Sequence, residues 1–223
     1  KLELLIRKFP AYANQSKTRE LLGSIRFQQK DYAEARSHLE GVATPLGAFY
    51  RGLSFFYQKQ YLEAANSFSD LTAMETGTYA EIGLYFKAEC FRMAQNAPLA
   101  IQAYDEFIQS YPGSRLKLYA LIQKASFLSK ENRDAEAEAG LKLMKALNPP
   151  KDVLAYALYM ESQLAAKKGD NKAAVNLIDQ ALALLPAQMN DLSLNIHLAK
   201  VFYLLQRERW AEAVTLLQKC LQK

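Results

Sequence analysis

An alanine that returns at nearly constant intervals constrains the fold of this 223-residue chain more than any other feature. It stands at six positions, Ala35, Ala64, Ala100, Ala137, Ala174 and Ala213, with spacings of 29, 36, 37, 37 and 39 residues. A large apolar residue follows each alanine four positions later: Leu39, Phe68, Tyr104, Leu141, Ile178 and Leu217. Residues four apart share one face of a helix. Self-similarity at this period predicts an array of repeated helical units.

Residues 97–114 carry the clearest copy of the unit. Ala100, Tyr104 and Phe107 recur at helical spacing and predict one apolar stripe, and the turn residues 111–114 end it. A small residue also stands in the preceding helix of most units: Gly23, Gly52, Ala88, Ala125 and Ser162. Small residues on both helices let their axes approach closely, so we expect each unit to be a tightly packed helix pair, with Ala100 and Ala174 almost fully buried.

This pattern resembles the tetratricopeptide repeat. The resemblance rests on Leu22-Gly23 with Tyr32 to Ala35, Gly52 with Tyr61, Ala64 and Phe68, Ala88 with Ala100, Tyr104, Phe107 and Pro112, Gly169 with Ala174, Ala181 and Pro186, and Trp210 with Ala213. It implies an all-α, right-handed superhelical solenoid of about six helix-turn-helix repeats, with about 12 to 13 antiparallel helices of about 10 to 17 residues.

The spacing places six units near residues 16–44, 45–78, 79–115, 116–151, 152–188 and 189–223. Residues 1–15 resemble the second helix of a truncated preceding repeat, and no polar capping helix ends the array. We therefore expect the chain to be a piece of a longer protein. The short first spacing, together with Gly41 and Pro45, predicts a shortened second helix and an irregular junction in the first unit.

The sequence offers little for catalysis. It has two histidines, His38 and His197, in different units, and neither has a cysteine or a carboxylate pair at metal-ligand spacing. The sequence contains no glycine-rich phosphate loop, nucleophile elbow or dinucleotide fingerprint. We therefore predict a non-enzymatic protein without cofactor or metal. Cys90 and Cys220 stand at apolar helical positions and are expected to be buried thiols.

Charge and hydropathy exclude two further classes. The net charge is +5, but acidic and basic residues are interleaved, which argues against a nucleic-acid stripe. No apolar run reaches the ~18 residues of a membrane-spanning helix. The compartment is open. Residues 104–114 resemble repeats of bacterial cell-envelope tetratricopeptide proteins, which favours a periplasmic or envelope location over the cytoplasm.

Binding is the remaining class, and the partner expected is a protein or peptide. The resemblance implies that the first helices of the units line a concave groove. The residues predicted there are Phe49, Leu53, Phe56, Tyr85, Glu89, Arg92, Tyr119, Gln123, Tyr156, Tyr159 and Gln163. Tyrosine suits a binding surface because it combines a rigid contact area with a polar tip. The same aromatic residues could instead fill contacts between neighbouring first helices, and Glu89 could simply pair with Arg92.

Three functional interpretations remain open at this point. The first is a scaffold that docks a partner segment, with envelope assembly or secretion as its setting. The others are a structural array and a regulatory helical part of a larger enzyme. The lysine and asparagine clamp by which related domains hold chaperone tails is absent at Phe49, Leu53, Tyr85 and Glu89. A monomer is expected, with self-association through uncapped ends as an alternative.

Overall fold

The computed structural model describes Lys8 and residues 15–74, 77–186 and 190–221. Within these ranges the chain forms twelve α-helices and no β-strand, so the all-α prediction is confirmed. The helices are α1 (Ser16–Gln28), α2 (Tyr32–Leu39), α3 (Pro45–Tyr57), α4 (Tyr61–Met74), α5 (Thr78–Met93), α6 (Ala97–Ser110), α7 (Lys117–Lys130), α8 (Asp134–Ala146), α9 (Lys151–Lys167), α10 (Asn171–Leu184), α11 (Asp191–Gln206) and α12 (Trp210–Leu221).

The helices belong to two compact units, an N-terminal unit that ends at Ser114 and a C-terminal unit that begins at Arg115. In the N-terminal unit, consecutive helices pack together, and the first helices of the hairpins, α1, α3 and α5, also contact one another in turn. The C-terminal unit repeats this arrangement with α7, α9 and α11. Each unit is therefore a row of helix hairpins with one layer of first helices. The helix expected over 1–15 lies outside the described residues except for Lys8 and Gln15. The superhelical hand and the repeat boundaries stay predictions.

Small residues lie where the paired helices cross. Ala100 and Ala174 are both 0% exposed, as predicted. A Cβ atom added to Gly23 would lie 2.3 Å from Leu39 Cγ, and one added to Gly52 would lie 2.8 Å from the ring of Phe68. Only a residue without a side chain fits these two crossings.

The large residues that follow the repeated alanines fill the core. Leu39, Phe68, Tyr104, Leu141 and Ile178 are all 0% exposed. Leu217 occupies the same position on α12 but is 38% exposed. It differs because α12 packs against α11 on one side, and its other side has no neighbouring helix among the described residues.

One backbone turn recurs in all six hairpins. The residue two positions before each second helix has a positive φ, between 57° and 83° in every case: Lys30, Lys59, Gln95, Asn132, Gly169 and Glu208. The next residue donates its N–H to a carbonyl five positions back, as Asn96 does to Phe91 at 3.0 Å. This is the Schellman arrangement, which satisfies the last carbonyls of the first helix. In three hairpins an Asp or Asn side chain then caps the second helix: Asp31, Asn96 and Asp170.

The first hairpin is irregular in the way the sequence predicts. Helix α2 has 8 residues, fewer than the roughly 10 expected as a minimum for a repeat helix. The chain then turns at Gly41, where φ is +69°. The side-chain oxygen of Thr44 accepts a hydrogen bond from the N–H of Gly47 at 3.0 Å and so caps α3. The same hydroxyl donates a hydrogen bond to the carboxylate of Glu20. The junction is thus held by side-chain hydrogen bonds in place of the missing helical turn.

Candidate functional site

The C-terminal unit presents a recess on the layer of first helices. Tyr119 and Gln123 stand four residues apart on α7 and therefore share a face. Tyr156 follows on α9 and Asn195 on α11. These three first helices contact one another in sequence, so the side chains meet on one surface. The tyrosine recess has a volume of about 420 Å³ and is lined by Tyr119, Ile122, Gln123, Asp152, Val153, Tyr156, Leu192 and Asn195.

The three tyrosines predicted on α7 and α9 keep exposed surface; Tyr119 and Tyr156 line the recess, and Tyr159 does not. Tyr119 is 45% exposed, and Tyr156 and Tyr159 are half-buried. The ring centroids of Tyr156 and Tyr159 are 6.2 Å apart at an angle of 59°, a favourable tilted pair. An arrangement with all three rings buried between helices would have left packing as their only role, and this arrangement is not observed.

A second recess, of about 630 Å³, lies toward the other end of α9 and α11. It is lined by Gln163, Ala166, Lys167, Asn171, Ala199, Phe202, Tyr203 and Gln206. Phe202 is 55% exposed, whereas Tyr203 is 5% exposed and burial raises its pKa. Lys167 Nζ donates hydrogen bonds to Asp134 Oδ1 and to the carbonyl oxygen of Ser129, each at 2.8 Å. In the C-terminal unit, the first helices α9 and α11 therefore present a second accessible recess with both aromatic and polar side chains.

In the N-terminal unit the predicted aromatic residues contact other rings. The ring centroid of Phe49 lies 5.9 Å from that of Tyr79, and that of Phe56 lies 5.9 Å from that of Phe86. Leu53 is buried, with 9% of its surface exposed. These residues serve mainly the contacts between helices in this unit.

Tyr85, Glu89 and Arg92 belong to a polar cluster against α6. Arg92 Nε donates to Glu89 Oε2 at 2.8 Å, and the hydroxyl of Tyr104 donates to Glu89 Oε1 at 2.5 Å. Tyr85 contacts the rings of Tyr104 and Phe107, with centroid distances of 6.5 and 5.5 Å. Glu89 does pair with Arg92, the alternative left open by the sequence, and both of its oxygens are engaged.

The structure adds residues that periodicity did not single out. Asp152, Val153 and Leu192 line the tyrosine recess. A spacing signal existed for Asp152, because it stands one turn before Tyr156. In the N-terminal unit, Arg36 lies over the ring of Phe55 at 4.6 Å and shares a recess of about 590 Å³ with Arg51. That recess lies among α2, α3 and α4, away from the predicted residues.

Three further properties of the described residues concern metal binding, membrane crossing and thiol chemistry. In the described ranges, His, Cys, Asp and Glu side chains nowhere gather in a group that could hold a metal ion. None of the helices that the structure describes has both the length and the apolar character that crossing a bilayer requires. Cys90 is buried as expected, and burial, with a contribution from Glu89, raises the pKa of its thiol to about 12. Cys220 was expected to be buried too but keeps part of its surface exposed, because it lies near the end of α12.

Part of the chain matches a known protein family in sequence. Residues 51–115 match the family model of the tetratricopeptide repeat. No protein with a curated description matches the chain in sequence.

Solved structures match over most of the chain. The quorum sensor NprR from B. thuringiensis, in its apo form, has a TM-score of 0.69 at 18% identity, and the match covers 93% of this chain and 64% of NprR. The chain thus spans less than two thirds of the length of NprR. A tetratricopeptide repeat protein from Parabacteroides merdae has a TM-score of 0.65 at 16% identity, over 99% of this chain and 83% of its own.

A third similar structure is YrrB, a tetratricopeptide repeat protein with an unusual peptide-binding site. Its TM-score is 0.64 at 16% identity, and the match covers 87% of this chain and 96% of YrrB. At these identities the likeness establishes the fold, a helical repeat solenoid.

Proposed function

We propose that this tetratricopeptide repeat chain is a non-catalytic scaffold that binds a peptide segment of a partner protein in the tyrosine recess. The observation that carries the proposal is the 45% exposure of Tyr119 beside the half-buried Tyr156. A large ring left accessible in a concave site offers contact area that a partner can bury. The peptide-binding site of YrrB, a protein of the same fold, is consistent with this use of the fold.

The composition of the recess suits a peptide. Ile122, Val153 and Leu192 supply apolar floor, and Gln123 and Asn195 bring amide groups. An amide side chain both donates and accepts hydrogen bonds, so it can pair with the N–H and C=O groups of a bound main chain. A few polar groups in a mostly apolar site are typical of pockets that fix the orientation of a ligand.

Neighbouring side chains would extend the contact along the layer of first helices. Leu198 and Phe202 are 43% and 55% exposed on α11, and Gln163 is exposed on α9. A segment that runs from the tyrosine recess toward Phe202 would cover them in turn. In the N-terminal unit, we assign Phe49, Leu53 and Phe56 to packing, since Phe49 and Phe56 contact the rings of neighbouring helices and Leu53 is buried.

The test is selection of ligands from a random dodecapeptide library displayed on phage, with the intact chain as the target. Enriched peptides would be synthesised with a fluorescent label and titrated by fluorescence anisotropy. We expect Tyr119→Ala and Tyr156→Ala each to weaken binding by about five- to 150-fold, the equivalent of about 1 to 3 kcal/mol for a good interface anchor.

Tyr57→Ala is the matched control, since Tyr57 is 57% exposed but lies on α3 in the other unit. Tyr57→Ala should bind the enriched peptides with the same affinity as the unaltered chain. The proposal would be overturned if no peptide is enriched, or if neither Tyr119→Ala nor Tyr156→Ala changes the affinity of the enriched peptides.

A second candidate is a regulatory or structural array within a larger protein. The match to NprR favours it, because the fold of this chain corresponds to 64% of that longer sensor. The full-length coding sequence separates the candidates, since an adjoining catalytic or DNA-binding domain would favour regulation. A role in envelope assembly or secretion is also proposed, on the likeness of residues 104–114 to envelope repeats. Cell fractionation with an antibody to this chain tests it, and recovery in the cytoplasm alone would contradict it.

A further inference from the structure

We propose that the tyrosine recess selects peptides that carry an arginine or lysine side chain, an inference that rests on the proposed function. Asp152 is the sole charged residue among the eight that line the recess. It stands in the first turn of α9, one turn before Tyr156, so the carboxylate and the ring lie on the same face of the helix. A bound cation would therefore meet a carboxylate and an aromatic ring together.

A second carboxylate adds to the negative charge at this end of the layer. Asp191 stands in the first turn of α11, one turn before Asn195 of the recess. Helices α9 and α11 contact one another, and both are first helices, so their beginnings lie at the same end of the layer. Both aspartates are exposed.

Asp152 and Asp191 have no cationic partner, whereas most of the other acids described in the C-terminal unit form an ion pair. Each of four other carboxylates forms an ion pair with a lysine: Asp134 with Lys167, Glu138 with Lys168, Glu161 with Lys145 and Asp179 with Lys200. Within the described ranges, neither Asp152 nor Asp191 takes part in an ion pair or a side-chain hydrogen bond. The charges left uncompensated in this unit thus include the two beside the recess.

The basic residues nearest in sequence do not change this balance. Lys151 precedes Asp152, Lys117 begins α7 and Lys124 follows Gln123, but none of the three lines the recess. Lys117 and Lys124 each have an interaction of their own. A carboxylate of an acidic ligand would therefore lie near Asp152, and no basic side chain lines the recess to pair with it.

A guanidinium group matches every part of this site. It can form paired hydrogen bonds with the carboxylate of Asp152 and stack on the rings of Tyr119 and Tyr156. Its remaining N–H groups can donate to the amide oxygens of Gln123 and Asn195. Lysine would satisfy the carboxylate and the rings, but as a single ammonium it lacks the planar, multiple donors. We therefore expect arginine to be preferred.

The experiment uses the phage-selected peptides and three proteins: the unaltered chain, Asp152→Asn and Glu131→Gln. Glu131 follows α7 at the end opposite to Tyr119, so its substitution changes the net charge equally at a distance from the recess. We expect one position of the enriched peptides to hold Arg or Lys. Asp152→Asn should weaken such a peptide about fivefold, as a partly exposed ion pair of about 1 kcal/mol predicts, and Glu131→Gln should leave its affinity unchanged.

Replacement of the selected basic residue of the peptide by Gln completes a double-mutant cycle. The loss caused by Asp152→Asn should disappear with that peptide, and the affinity of the basic peptide should fall with added salt. Tyrosine-dependent binders that are neutral or acidic, or a cycle without coupling, would overturn the selectivity and leave the scaffold proposal intact. The absence of any tyrosine-dependent binder would instead overturn the proposed function.

Discussion

The buried hydroxyl of Tyr104 on α6 donates a 2.5 Å hydrogen bond to Glu89 on α5 and so joins the two helices of one hairpin. The other oxygen of Glu89 accepts from Arg92. Tyr104 is 0% exposed, and a partly buried carboxylate such as that of Glu89 keeps the cost of its desolvation when it loses a donor. Tyr104 thus stabilises the fold through a buried hydroxyl, whereas Tyr119 of the tyrosine recess keeps an exposed ring.

Removal of this hydroxyl should destabilise the fold. We expect Tyr104→Phe to lower the free energy of unfolding by about 1 to 3 kcal/mol, the usual cost of a lost hydrogen bond to a charged group that is at least partly buried. Urea denaturation followed by circular dichroism measures it. The control is Tyr57→Phe, which removes the hydroxyl of an exposed tyrosine and should change stability little; equal effects of the two substitutions would contradict the role assigned to Tyr104.

The same hydroxyl predicts a loss of stability in alkali. Burial, with the negative charge of Glu89, raises the pKa of Tyr104 above its usual 10.0. Above pH 10 the unfolded chain releases this proton while the folded chain keeps it, so unfolding becomes easier as pH rises. Between about pH 8 and about pH 11 the unaltered chain should lose about 1 kcal/mol more stability than Tyr104→Phe. Parallel pH profiles for the two proteins would argue against this proton linkage.

The helix crossing at Ala100 should not tolerate a larger side chain. Ala100 is fully buried between α5 and α6, and we expect Ala100→Leu to cost about 1 to 3 kcal/mol through overpacking. Thermal unfolding of Gln102→Leu, an exposed position on the same helix, provides the comparison. An unchanged melting temperature for Ala100→Leu would mean that the phase of the repeat is misassigned.

The recurrent turn offers a prediction of increased stability. Gln95 holds a φ of +57°, a conformation in which a side chain on Cβ is unfavourable, whereas Gly169 holds the equivalent position in another hairpin. Gln95→Gly should therefore raise the free energy of unfolding, and Gly169→Gln should lower it, each by about 1 kcal/mol. Chemical denaturation of both variants checks the opposite signs; a loss of stability in Gln95→Gly would contradict the assignment of the turn.

The single tryptophan reports on the outer face of α12. Trp210 is 59% exposed, with Val214 at 53% one turn later. Its fluorescence in the folded chain should resemble that of free tryptophan and be quenched readily by acrylamide. Emission that is independent of protein concentration would agree with the monomer expected from the sequence, whereas a blue shift on concentration would indicate that chains associate through this helix.

Sequence alone predicted the repeated helix pair and its packing but only part of the site. Ala100 and Gly52 were predictable because a small residue at a fixed phase has one physical use, the close crossing of helices. Tyr85 and Tyr119 were not distinguishable, since helical periodicity specifies the face of a residue and not its neighbours. Tyr85 meets Tyr104 and Phe107, whereas Tyr119 keeps 45% of its surface. Asp152 escaped notice because an acid in a first helical turn is favourable in any helix.

The Schellman turns have a consequence for how this protein can vary. Main-chain atoms close all six of them, and the side chains at the left-handed position differ widely, from Lys30 to Asn132 to Glu208. Since no side chain is required there, charges, labels or short epitopes can be introduced at these tips without a change in the helix contacts. Within each unit the tips thus form a series of attachment points, one on each hairpin.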